Sequence, residues 1–152
     1  MADTRAQLEV EDWVRRNWMP AKYEQQFHRE RLRLSSGGVF DFDAVSTDGR
    51  IVATISTSAA TTVSGRNAVG KLMKIRSDMF FLLLTEADRR LVVLTEKGMF
   101  EQCCKEAEGG RVPGSIEFAH AEIPEELSAR LQYARQVASR EVSPHRDRSV
   151  NR

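Results

Sequence analysis

Cysteine is nearly missing from this chain: among 152 residues there are two, Cys103 and Cys104, side by side. Adjacent cysteines make no unstrained disulfide and supply no C-x-x-C metal spacing, so both read as small apolar residues of a helix. Histidine is equally scarce, and His28, His120 and His145 share no ligand spacing, which argues against a histidine metal site. A surplus of one charge is missing too. The formal net charge is +1, so there is no global field to attract a polyanion, and any contact with nucleic acid must come from a local patch. No apolar run approaches the roughly 18 residues that span a bilayer; the longest is Met79 to Leu84. The opening segment MADTRAQLEVED is acidic and polar, unlike a secretory signal. A cytoplasmic protein with no membrane partner is the expectation.

What is present fits one domain of ordinary composition. No repeat or linker interrupts it, so residues 1–142 read as a single unit, and the polar, basic stretch 143–152 as a disordered tail. Val10, Trp13, Val14 and Trp18 recur at helical spacing, which predicts a helix over residues 4–18 with its tryptophans in the core. Pro20 should kink or restart it. From His28 to Leu34 the pattern alternates, with Arg29, Arg31 and Arg33 on one face. Val39 to Ser46 and Arg50 to Thr57 read as two further strands joined by the turn Thr47-Asp48-Gly49, so three strands form an antiparallel meander. Strict alternation puts Asp41 and Asp43 on one face with Val45. A polar loop follows, then a helix over 66–78. The continuous apolar run 79–85 predicts a central strand, with 90–95 beside it. Thr95 is placed to cap a helix carrying Met99, Phe100, Cys103, Cys104 and Ala107, ended by Gly109-Gly110. Residues 115–121 predict an edge strand, and Pro124 opens a last helix.

The paired aspartates, the hairpin, the basic helix and the apolar strand, in the order α-β-β-β-α-β, resemble the core of the PD-(D/E)XK or restriction-endonuclease-like nucleases. The resemblance covers the middle third of the chain. It implies an α/β fold, a mixed sheet flanked by helices, with Asp43 at the family's metal-binding position. It also implies an acid, any residue and a lysine near the end of the third strand, where this chain has Thr54, Ile55 and Ser56. A neutral hydroxyl is a poor substitute for either charged group. If hydrolysis survives, it is Mg²⁺-dependent. It would use Asp43, an acid from the first helical region (Glu9, Glu11 or Glu24, with Glu24 chosen) and a lysine moved to Lys71 or Lys74, with Lys71 chosen.

A second motif overlaps this region. Gly65 to Lys71 satisfies G-x-x-x-x-G-K, but Leu72 stands where Mg²⁺ binding needs Ser or Thr, and no buried strand feeds the loop. The stretch reads as a place for a phosphate at a helix start, not as a nucleotide site. Arg66, Lys71 and Lys74 are the candidate nucleic-acid contacts, and Arg76, Arg29, Arg31 and Arg33 extend the basic surface.

Three functions follow. The first is a nucleic-acid-binding or structural subunit of nuclease descent, catalytically impaired and partnered by DNA. The second is a divergent metal-dependent DNA nuclease. The third is an interaction module whose sheet edge or last helix binds a protein partner or a second copy.

Overall fold

A computed structural model describes residues 4–62 and 65–142; the tail expected at 143–152 lies outside the described residues. The chain begins with helix α1 (Arg5–Trp13), a π-helical turn (Val14–Trp18) and helix α2 (Met19–Tyr23). Strands β1 (Phe27–Arg33), β2 (Val39–Ser46) and β3 (Ile51–Ser56) follow. Helix α3 (Val69–Leu83), strand β4 (Arg89–Leu94), helix α4 (Lys97–Glu108), strand β5 (Ile116–His120) and helix α5 (Glu125–Val142) complete it. The sheet order is β1-β2-β3-β4-β5. The first two pairings are antiparallel and the last two parallel. Short turns serve the antiparallel pairs and helices serve the parallel ones, as chain reach requires. The protein is a mixed α/β domain, and its first elements run α-β-β-β-α-β, with the sixth place taken by β4 (Arg89–Leu94) and not by the strand expected at 79–85.

Two apolar layers sandwich the sheet. On one face Ile75, Met79 and Leu82 of α3 and Met99 and Cys103 of α4 pack on Phe42, Val45, Val52, Val92 and Leu94. On the other, Val10, Val14 and Met19 of the first helical segment and Leu131 of α5 pack on Ala44, Ala53, Ile55, Leu91 and Val93. Burial pushes the Cys103 thiol up to about 11, which suits a core residue and not a nucleophile.

Residues 79–83 are the end of helix α3, not the start of the expected central strand. An apolar run has no period of its own, and here Ile75, Met79 and Leu82, at helical spacing, meet the sheet while Phe80 and Leu83 are exposed. The neighbour of β4 is therefore β3, in parallel. The helix also starts later than expected, at Val69. Glu96, not Thr95, is the N-cap of α4, because the Thr95 hydroxyl donates to the Ser56 carbonyl instead.

The first helical segment restarts at Pro20 as expected: α2 opens at Met19 with the proline in its first turn. A π turn precedes the proline, whose ring and missing N–H disrupt the regular α-helical ladder. Val10, Val14 and Met19 are all fully buried. Their spacing of four and then five residues is what an α turn followed by a π turn places on one face.

Candidate functional site

The site is built where β2 and β3 part. The hairpin is pinned at its turn: Gly49 adopts a positive φ of 72° that favours glycine. Asp48 accepts from the Ser46 hydroxyl at 2.7 Å and from the Arg50 amide at 3.0 Å, and both bonds hold its carboxyl below the usual aspartate value. In-register pairing then covers Ala44↔Ala53 and Val45↔Val52. Beyond it the strands separate, and Asp43 fills the gap with its side chain, one carboxylate oxygen accepting from the Ile55 amide at 2.8 Å. The Asp43 carbonyl accepts from Arg15 Nε at 2.7 Å.

A bulge sets this geometry. On β1, His28 and Glu30 oppose Val45 and Phe42, so two steps of β1 match three of β2. The extra residue breaks alternation at Asp43-Ala44. Phe42 and Val45 consequently lie in the same apolar layer and Ala44 in the other. Asp41 and Asp43 thus do not act as a pair. Asp41 is exposed and bound by both Arg31 Nε (2.9 Å) and Nη2 (3.2 Å).

The positions expected to carry an acid and a lysine carry the neutral hydroxyls of Thr54 and Ser56. Thr54 is 2% exposed and its Oγ1 has no hydrogen-bond partner among the described residues. Ser56 Oγ accepts from the Ser58 amide at 3.3 Å. Glu24 sits exposed at the C-cap of α2 in a left-handed conformation, φ 58°, beyond the end of the helix that faces Asp43. Lys71 and Arg66 are exposed at the start of α3 and in the loop before it. Lys74 lies 3.7 Å from Asp78.

The acids that feel the charge of Asp43 are Glu11 and Asp78. Burial first, and Asp43 second, raise the Glu11 carboxyl above its ordinary value. Burial likewise raises that of Asp78, with Lys74 opposing and Asp43 adding to the effect. Glu11 was one of three helix acids open to the sequence. Glu9 flanks the buried Val10 as closely as Glu11 does, so the sequence holds no signal that selects Glu11. Asp78 had no such signal either, because the strand expected from residue 79 placed it at a helix end.

Among the described residues no three His, Cys, Asp or Glu side chains lie close enough together to hold a metal ion, and one Asp43 oxygen already serves the Ile55 amide. Gly65 closes a small turn in which its amide donates to the Thr62 carbonyl at 2.8 Å, and the Lys71 and Leu72 amides both donate to Ala68. No family model, curated protein or solved structure matches this chain.

The raised Glu11 carboxyl gives a stability signature of unusual sign. A carboxyl whose folded-state pKa lies above its unfolded value opposes folding when ionised. That penalty is present above the folded pKa and fades as pH falls toward the ordinary value of 4.5. Glu11→Gln should therefore raise the urea midpoint at neutral pH and change it little below 4.5. A midpoint difference independent of pH would show that Glu11 is not held in this way.

Proposed function

We propose that this protein binds nucleic acid as a non-hydrolysing relative of the PD-(D/E)XK nucleases. One observation carries the reading: Asp43 sits where the strands part, as the nuclease acid would. Yet one of its carboxylate oxygens is taken by a backbone amide, beside the neutral Thr54 and Ser56. The α-β-β-β-α-β order supports the scaffold. Arg66 and Lys71, both exposed, with Lys74 one helical turn on, supply phosphate contacts at the start of α3.

The test has two parts. Purified protein with Mg²⁺ or Mn²⁺ should leave DNA uncut. It should bind DNA modestly, and Lys71→Ala combined with Lys74→Ala should lower the salt slope by about one to two units, at ~0.9 per phosphate contact. The electrostatic coupling of Glu11 to Asp43 favours one second reading, the divergent nuclease with Glu11 as its helix-borne acid. Cleavage that vanishes in both Asp43→Ala and Glu11→Gln would establish that reading in place of ours. Failure to bind DNA at low salt would favour the interaction module, with the sheet edge or α5 as its surface.

A further inference from the structure

A groove of about 620 Å³ runs between α1 and β1, lined among others by Arg5, Arg15, Arg16, His28 and Arg29. Its acids are engaged. Asp12 is bound by Arg15 at 3.3 Å and Arg16 at 3.0 Å, Glu9 is bound by Arg130 of α5, and Glu11 is buried with Gln7 on its oxygen at 3.2 Å. Arg15 is 8% exposed and fixed to the Asp43 carbonyl, so the floor of the groove is tied to the Asp43 site. From the groove the basic surface continues along β1. Arg29, Arg31 and Arg33 alternate on one face and are all exposed. Neither Arg29 nor Arg33 has an ion-pair partner among the described residues, while Arg31 is held by Asp41.

We infer that the α1–β1 groove and the arginine row of β1 form a track for the phosphodiester backbone of a nucleic-acid strand. The inference rests on the nucleic-acid reading above but moves the main contact surface away from α3. Three features carry it. Alternate residues of a strand stand about 6.7 Å apart, a spacing commensurate with successive phosphates of an extended chain. Guanidinium forks bind phosphate in two-pronged fashion, where lysine offers a point charge. Finally, β1 is an edge strand, paired only with β2, so its outward backbone N–H groups are available as further phosphate donors. Asp41 acts as an internal competitor, occupying the fork of Arg31 until a phosphate replaces it.

The competitor makes the test specific. Binding of labelled single-stranded and duplex oligonucleotides, with inorganic polyphosphate as a third probe, is measured against salt. Arg29→Ala with Arg33→Ala should lower the slope by about two units at ~0.9 per contact, and Arg29→Lys with Arg33→Lys should restore the slope. Asp41→Asn should do the opposite, tightening binding and steepening the slope by about one unit as Arg31 is released. Both arginines are exposed, so these variants keep the fold. If the parent binds oligonucleotides and the Lys71/Lys74 variant weakens them while the arginine and Asp41 variants do not, the track is wrong and the nucleic-acid reading stands. If the parent binds polyphosphate alone, or nothing, both are overturned.

Discussion

Phe42→Ala is expected to lower the unfolding free energy by about 3–5 kcal/mol, the range for emptying a buried aromatic site. The side chain is fully buried, with its ring 4.7 Å from that of Phe40, in the layer formed with Met79, Leu82 and Val92. Since whole domains are stable by only about 5–15 kcal/mol, a variant at the upper end would be largely unfolded at modest urea. The effect bears on function because Phe42 is the residue before Asp43. Its ring anchors the near side of the bulge, and Phe42→Leu, which refills most of the volume, should recover much of the loss. A cost under about 1 kcal/mol, by urea unfolding, would be incompatible with a core aromatic and would remove the packing argument for the position of Asp43.

Arg135→Ala should cost about 2–3 kcal/mol, somewhat less than the 3–5 typical of breaking a fully buried pair. Arg135 lies 2.6 Å from Glu96, with side chains 26% and 17% exposed, and also donates to the Thr57 carbonyl. One guanidinium therefore ties α5 both to the end of β3 and to the first turn of α4. Removing it leaves Glu96 partly buried and unpaired. Lysine should not rescue, because a single ammonium lacks the planar fork that serves two acceptors at once. Adding Glu96→Gln to Arg135→Ala should return part of the loss, and the cycle measures the coupling. Strict additivity of the two substitutions would mean that the Glu96–Arg135 pair contributes nothing to holding α5.

The parts of the fold that were legible in the sequence are those encoded by local chemistry. The Thr47-Asp48-Gly49 turn, the alternation of 28–34 and the Gly109-Gly110 stop each specify their own backbone, and each element appears. Misreadings came where tertiary contacts decide. Met79 to Leu84 is apolar whether it is a strand or a helix, and the distinction lies in Ile75 and Met79 sharing a face toward the sheet. At the site, Asp43 and the hydroxyls of Thr54 and Ser56 were legible from the order of elements. Their coupling to Glu11 and Asp78 was not. It depends on a bulge opposite Arg29 and on a π turn, and neither carries a residue signature as plain as a glycine at positive φ.

That π turn also governs which changes the protein tolerates. Side chains between Val14 and Trp18 can be exchanged one at a time without altering the number of residues between Val10 and Met19. Deleting a single residue there would let the backbone return to ordinary α-helical bonding. Four-then-four spacing would then keep Val10, Val14 and the methionine on one face of the helix, so Val10 would stay on the sheet and Glu11 near Asp43. The link between the first helix and the site therefore rests on the wider turn itself: were the same residues to adopt all-α bonding with none removed, Val10 would turn by about 100° relative to Met19 and leave the sheet, whereas a one-residue deletion would spare it.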